Sequence, residues 1–378
     1  MTRPCEVLAV VGARPNFMKV APILRAAEAS SSLRFRLAHT GQHYDAALSD
    51  QFFRELGMRE PDIHLRVGSA SHAVQTARIL ERFEEVLMAD RPDLVLVAGD
   101  VNSTLGCSLA AVKLGIPVAH VEAGLRSGDR TMPEEINRIV TDSVSDLLLT
   151  TSRDADDNLE REGVPRELVH FVGNTMIDTL RRFESAARER RSCESYGVDA
   201  GDYALVTLHR PSNVDDAAGL ARILDLLGAL SAETPTLLPL HPRTEASLER
   251  HGLSERLEQL GQVRKLPPLG YLDFLSLMAT ARLVLTDSGG VQEETTALGV
   301  PCFTLRPSTE RPVTVTSGTN LLVSDRVDEQ ILAIRGFLSG RARMEAKIPE
   351  LWDGAAGPRI VRVLEDWSER GRPSRVRP

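Results

Sequence analysis

Aromatic side chains are scarce in this chain, at 4% of 378 residues, and no stretch of 18 apolar residues occurs anywhere. A membrane-spanning helix needs about 20 such residues, so none is expected. No long apolar run follows a basic head at the start. Glu6 interrupts the nearest candidate, and Val7–Val11 reads as a strand rather than a secretion signal. Cysteine is rare too. Cys5, Cys107, Cys193 and Cys302 lie far apart and form no CxxC pair. Reduced, buried thiols and a cytoplasmic setting are expected. No HExxH and no ligand-spaced His/Cys set occurs, so no metal is expected. The absence of GxSxG weakens a serine hydrolase, and the absence of GxGxxG and GxxxxGK[ST] disfavours a dinucleotide site or a P-loop. An excess of basic residues is missing as well, with 45 Lys and Arg against 53 Asp and Glu, a net charge of -8. The cluster Arg188, Arg190 and Arg191 shares a helical stretch with Glu184 and Glu189, which reads as a solvated face. No general nucleic-acid surface is expected.

What is present is an alternation of short apolar runs and amphipathic segments. Strands are predicted at Val7–Val11, Phe35–His39, Asp93–Ala98, Pro117–Val121, Leu147–Thr150 and Val169–Phe171. Helices are predicted at Phe17–Ala29, Ser71–Met88, Thr104–Leu114 and Glu134–Ser145. A charged stretch, Glu184–Asp202, reads as helix and linker. The pattern then restarts with strands at Tyr203–Leu208, Thr236–Leu240, Ala281–Thr286 and Pro301–Leu305 and helices at Leu220–Leu230, Tyr271–Ala279 and Val291–Leu298. The length suits two cores. The fold class expected is α/β, with two parallel-sheet domains over residues 1–185 and 200–355, and a last helix, Ile360–Trp367, near the end.

Polar residues gather just past the strands, where open α/β sheets bind ligands. Gly12-Ala13-Arg14-Pro15 ends the first strand, with Lys19 a turn into the helix, and both cations suit a diphosphate. Asp287-Ser288-Gly289-Gly290 opens a helix continued by Glu293 and Glu294. It reads either as a phosphate cradle of backbone N–H groups or as a tight turn capped by Ser288. Of the two glutamates, one would tune the helix and the other suits sugar hydroxyls. Asp100 and Glu122 end strands, and Glu134-Glu135 starts a helix after Pro133. They read either as carboxylates converging for proton transfer or as a cap and two solvated caps. His209 and His241 end strands in the second domain.

These motifs, in this order, resemble the non-hydrolysing UDP-N-acetylglucosamine 2-epimerase family over nearly the whole chain. The resemblance is carried by Gly12–Pro15 with Lys19, Gly99-Asp100, His120–Arg126, Pro133–Arg138, Gly173–Thr175, Thr207–Arg210, His241-Pro242, Asp287–Glu294 and Thr309–Pro312. It implies a glycosyltransferase-B-like pair of Rossmann-type domains with the active site in the cleft between them. It also implies a C-terminal helix, residues 358–372, crossing back to the first domain. Homodimers, a UDP-sugar substrate and no redox cofactor follow from it. It further implies C2 inversion of a UDP-N-acetylhexosamine through elimination and re-addition of UDP. Matched position by position, the catalytic group is Asp100, Glu122 and Glu134 with His209. The UDP contacts are Arg14, Lys19, Phe274, Ser288, Gly289, Gly290, Glu294 and Arg311.

The chain departs from the common bacterial form of that family in several places. Its loop between Arg126 and Glu134 is shorter, Pro211-Ser212 replaces an Arg-Glu pair, and Leu269 replaces a polar residue near the uracil. Bacterial members bind a second UDP-N-acetylglucosamine as activator through residues near Gln42, His43 and that pair. Its loss is expected here. Alternatives of other classes are a hydrolysing epimerase, an epimerase of a modified UDP-sugar, a glycosyltransferase with the same fold, and a silent sugar-nucleotide binder.

Overall fold

The computed structural model describes residues 3–41, 57–323, 326–340 and 347–374, with the side chain of Arg14 left out. Gln42 and His43 lie outside the described residues. The chain divides into two compact units, Met1–Thr179 with Glu350–Pro378, and Leu180–Pro349. The division falls inside one helix, Thr175–Arg190, rather than in a linker after it.

The first unit is built on a parallel sheet of seven strands: β1 (Cys5–Val11), β2 (Leu33–His39), β3 (Ile63–His64), β4 (Leu94–Ala98), β5 (Val118–Ala123), β6 (Leu147–Thr150) and β7 (Val169–Phe171), ordered β3-β2-β1-β4-β5-β6-β7. The strand β4 is buried at every residue, as expected of a sheet covered on both faces. Its helices are α1 (Arg14–Ala27), α2 (His72–Ala89), α3 (Asn102–Lys113), α4 (Pro133–Val144) and α5 (Arg153–Arg161). In α2 the buried residues Gln75, Ile79, Phe83 and Leu87 recur every fourth position, forming one stripe. Ser71 caps it by accepting from the Val74 N–H. Ile79, Phe83 and Leu87 join Leu8, Val10, Val95 and Val97 in one core. The C-terminal helix, Ala356–Glu369, packs on α1. Its first N–H groups, at Ala356 and Gly357, are taken by the Asp178 carboxylate at 3.0 and 2.7 Å.

The second unit has a six-stranded parallel sheet: β8 (Ala204–Thr207), β9 (Thr236–Pro239), β10 (Val263–Leu266), β11 (Leu283–Thr286), β12 (Cys302–Thr304) and β13 (Asn320–Leu322), ordered β10-β9-β8-β11-β12-β13. Its helices, numbered on from the boundary helix as α6, are α7 (Pro211–Val214), α8 (Ala217–Ser231), α9 (Pro242–Arg250), α10 (Tyr271–Thr280), α11 (Gly289–Leu298) and α12 (Val327–Leu338). Leu220, Ile223, Leu224 and Leu227 of α8 pack with Val206, Leu285 and Phe303. Both units are thus Rossmann-like, the pairing of the glycosyltransferase-B type. In each sheet the strand order reverses once, between β1 and β4 and between β8 and β11. At such a switch point two connections leave in opposite directions and open a crevice past the strand ends.

Candidate active site

In the first unit the β1/β4 switch point brings α1 beside the tip of β4. The helix starts at Arg14, earlier than predicted. Pro15 sits in its first turn, where a missing N–H costs nothing. Asn16 explains the tight turn. Its side-chain oxygen accepts from the Gly12 and Ala13 N–H groups at 3.2 and 3.0 Å, and its amide donates to the Ala98 carbonyl at 2.7 Å. Lys19 is buried and pairs with the equally buried Glu122 carboxylate. Its nearest anion is therefore a protein group. Gly99 has φ 67°, and a Cβ there would meet Lys19 Nζ at 2.7 Å, so a side chain at this position would be strained and would crowd the pair.

Asp100 is not a cap, because α3 begins at Asn102 after Val101. Its carboxylate pairs with Arg138, which is almost fully buried, and its carbonyl accepts from Asn137 at 2.8 Å. Glu135 is not a solvated cap either. It is 2% exposed, and its Oε2 accepts from Arg138 Nη2 at 2.6 Å. It also accepts from the Ser127 and Gly128 N–H groups, both at 2.9 Å, which closes the short loop before α4. Burial alone would raise its pKa, but these donors outweigh it and hold it below the usual range. Glu134, its neighbour, is half-buried at the start of α4. One turn of α4 thus carries three residues that fix Asp100 and its surroundings.

Beneath these tips lies His120, fully buried on β5. Its Nδ1 is 2.6 Å from Asp142 Oδ1 and its Nε2 2.7 Å from the Gly99 carbonyl oxygen. Asp142 Oδ2 also takes the Gly124 N–H at 3.0 Å and Arg126 at 2.8 Å. Burial pushes the Asp142 carboxyl up, but His120 and Arg126 overcome it and hold it below the usual range.

In the second unit the β8/β11 switch point does the same with different residues. His209 follows β8 and Asp287 follows β11, with His209 Nδ1 3.0 Å from Asp287 Oδ1. Asp287 is fully buried and also accepts from the Arg210 N–H at 2.9 Å and the Asn213 amide at 3.0 Å. Burial raises its pKa, yet these donors hold it low. The carboxylate therefore fixes the ring, with Nδ1 as the donor. The His209 side chain is 37% exposed and lies against the His241 ring, centroids 5.4 Å apart. His241 in turn caps α9.

Ser288 stands at the N-cap of α11 without using its side chain as a cap, which removes the turn-and-cap reading of that hydroxyl. Glu293 and Glu294 are both buried. Glu294 accepts from Tyr271 at 2.9 Å, and Glu293 lies 2.8 Å from Arg311 Nε. A Cβ on Gly289 would meet Arg311 Nη1 at 2.5 Å, so the turn needs glycine for that guanidinium to approach. Arg311 and Arg306 both pair with Glu310, and Arg210 lies 3.7 Å from it. Burial favours the neutral Glu310, but Arg311, Arg306 and Arg210 drive its pKa far below the usual range. Burial first, and then repulsion from Arg306, lowers the Arg210 pKa. Three guanidiniums, Arg210, Arg306 and Arg311, gather beside a helix N-terminus, balanced in the protein by Glu293, Glu310 and Asp287. Phe274 is half-buried on α10. Among the described residues no group of three His, Cys, Asp or Glu gathers to hold a metal.

The structure thus brings Lys19 to Glu122 and sets Asp100 beside them through Gly99. It brings Ser288, Gly289 and Arg311 together, and His209 to Asp287. Sequence reasoning missed Arg138, His120, Asp142, Arg306 and Glu310 as site-building groups. The signal available was a charged residue on the apolar stripe of a helix or inside a buried strand.

Comparison with known proteins agrees with this geometry. A sequence profile described as UDP-N-acetylglucosamine 2-epimerase matches residues 25–365. The UDP-N-acetylglucosamine 2-epimerase of Methanocaldococcus jannaschii is 41% identical over 94% of this chain and 97% of its own length. The crystal structure of that organism's UDP-GlcNAc 2-epimerase in complex with UDP-GlcNAc and UDP superposes with a TM-score of 0.88 at 40% identity, covering 95% of this chain and 99% of that one. The UDP-2,3-diacetamido-2,3-dideoxy-D-glucuronate 2-epimerase of Pseudomonas aeruginosa is 40% identical over 95% of this chain and 99% of its own length. With the profile spanning most of the sequence, the chain belongs to the UDP-N-acetylglucosamine 2-epimerase family.

Proposed function

We propose that this protein reversibly epimerises UDP-N-acetylglucosamine to UDP-N-acetylmannosamine at C2, without net hydrolysis. The observation that carries the reading is the buried Lys19–Glu122 pair at a strand tip, in a chain of this family. A base removes the C2 proton, the electron pair forms the C1–C2 double bond, and the C1–O bond breaks as UDP leaves with its electrons. In return, a UDP oxygen adds to C1 and a proton reaches C2 from the other face. Asp100, Glu122 and Glu134 supply the proton-handling groups, because a weakly acidic C–H needs fixed carboxylates. Arg14, Lys19, Phe274, Ser288, Gly289, Gly290, Glu294 and Arg311 hold the UDP-sugar, and His209 supports departure of the diphosphate. The gathering of Arg210, Arg306 and Arg311 beside the glycine turn that opens α11 supports the phosphate assignment.

The test is incubation with UDP-N-acetylglucosamine in deuterated water. The expected product is UDP-N-acetylmannosamine carrying deuterium at C2. Release of free N-acetylmannosamine with UDP identifies a hydrolysing enzyme instead, and full retention of the C2 proton rejects exchange with solvent. A modified substrate is a second reading, favoured by the 40% identity to the diacetamido-glucuronate enzyme. A higher kcat/KM on that UDP-uronate than on UDP-N-acetylglucosamine selects it.

The working protein is a cytoplasmic homodimer in this reading. No helix among the described residues is long and apolar enough to cross a membrane, and all four cysteines are free and buried, which suits a reducing compartment. Sedimentation at twice the 41.4 kDa chain mass is expected, and a monomer at micromolar concentration rejects the dimer.

A further inference from the structure

Glu122 is one of five described residues other than glycine whose backbone has a positive φ. This residue has φ 69°, a left-handed conformation that is strained for a residue bearing a side chain. The register between β5 and β6 breaks at the same place, between Val121 and Ala123, so Glu122 is the extra residue of a bulge. Gly124 follows, also left-handed at φ 80°, with the Ala155 carbonyl 2.5 Å from where a Cβ would stand. Such strain persists only where neighbours over-determine it.

The neighbours that do so are His120 and Asp142. Before Glu122, the Gly99 N–H donates to the Val121 carbonyl at 3.0 Å, and His120 Nε2 donates to the Gly99 carbonyl. The tip of β4 is thereby tied to β5 from both of its polar groups. After Glu122, the Gly124 N–H is held by Asp142 Oδ2. The two halves of this clamp are joined by the contact between His120 Nδ1 and Asp142 Oδ1. A carbonyl oxygen and a carboxylate only accept, so both ring nitrogens are the donors of this clamp. We propose that His120 and Asp142 are positioning residues for Glu122: as a charged pair they lock the bulge that turns the Glu122 carboxylate onto Lys19. A slip of one residue would turn that side chain to the other face of the sheet. This rests on the reading that Glu122 handles the C2 proton.

Two experiments test it. Wild-type protein carrying 15N-histidine, with His120 assigned by its loss in H120Q or by through-bond correlation, is studied by NMR at pH 7. Two protonated, slowly exchanging ring nitrogens are expected, and a single protonated nitrogen overturns the pair. This arm uses no substrate, so its outcome stands apart from the epimerase reading. The second arm compares H120Q and D142N with wild type. A carboxylate displaced by about 1 Å predicts a fall in kcat of roughly 10²-fold, with KM and UDP affinity changed less than threefold. A kcat within threefold of wild type in a folded D142N protein overturns the proposal, as does equal loss of kcat and UDP affinity. If H120Q does not fold, D142N and the wild-type spectrum still decide.

Discussion

At the scale of the residue, the site is made of charges that water never fully reaches. Asp100 pairs with a buried Arg138 that also holds Glu135, Glu122 pairs with the buried Lys19, and Glu134 stands in the first turn of α4. The three carboxylates are chemically alike and differently held. Replacing each by its amide keeps shape and removes the base. D100N, E122Q and E134Q are expected to lower kcat by roughly 10²–10⁴-fold where the group moves a proton in the transition state, while calorimetry still shows UDP binding. Losses under threefold in all three reject this catalytic set. His39 gives a second expectation. It packs against Phe17 and His64, and burial, aided by repulsion from His64, lowers its pKa to about 4. Below pH 6.5 the unfolded chain takes up a proton that the folded ring refuses. Stability should therefore fall as the pH drops from 6.5 to about 4, by up to ~1.4 kcal/mol per unit, and stay flat from this source above pH 6.5. Other buried carboxylates add to the acid loss, so the measurement is the difference in slope between wild type and H39Q. Equal slopes remove His39 from the account.

At the scale of the element, a site residue is legible when it ends a regular run. Asp100, His209 and Ser288 follow apolar strands, and Glu122 interrupts the apolar run of β5 one residue before its end, which is why their neighbourhood can be located from the order of residues alone. What stays hidden are partners brought in from elsewhere in the chain: Arg138 faces inward from α4, and Asp142 sits a further turn along the same helix. Their charges look like an ordinary solvated face in sequence, because nothing local records what another strand places opposite. The single turns and the short strands β3, β10 and β13 are also invisible, being too brief to show a period. Two expectations belong here. Adding a methyl at Gly289 must push Arg311 aside, so G289A should weaken UDP binding by about 1–3 kcal/mol, the worth of a charged hydrogen bond, with little change in melting temperature. Undiminished affinity would show that Arg311 does not contact UDP. The second concerns α7. Pro211 and Ser212 are exposed in its first turn, where proline suits the backbone, and neither offers a charge to a second nucleotide. Initial rates from the UDP-N-acetylmannosamine side should follow a hyperbola, and a lag abolished by traces of the gluco isomer would refute this.

At the scale of the molecule, the alternation of strands and helices suffices for two Rossmann-like units, since each apolar run is long enough to cross a buried sheet. The division between them is less legible. The charged segment after Glu184 reads as a linker, yet helix Thr175–Arg190 runs through the boundary, its arginines paired within the second unit, Arg188 with Glu184 and Arg190 with Asp273. A charge-rich sequence describes exposure, and exposure is common to linkers and to helix surfaces.

The C-terminal helix also sets the order in which the protein can be made. Its N–H groups are held by Asp178, and Gly357 lies so close to Pro22 that a Cβ would stand 2.7 Å from the Pro22 carbonyl oxygen. On the ribosome, the segment Leu180–Pro349 is complete while the first unit still waits for its last helix. The unit whose synthesis begins first is therefore the one that closes last, and α1 carries an uncovered apolar face throughout elongation. A nascent chain stalled before Ala356 should present a protease-resistant second unit and a sensitive first one. Equal resistance of both would show that the first unit folds without its closing helix.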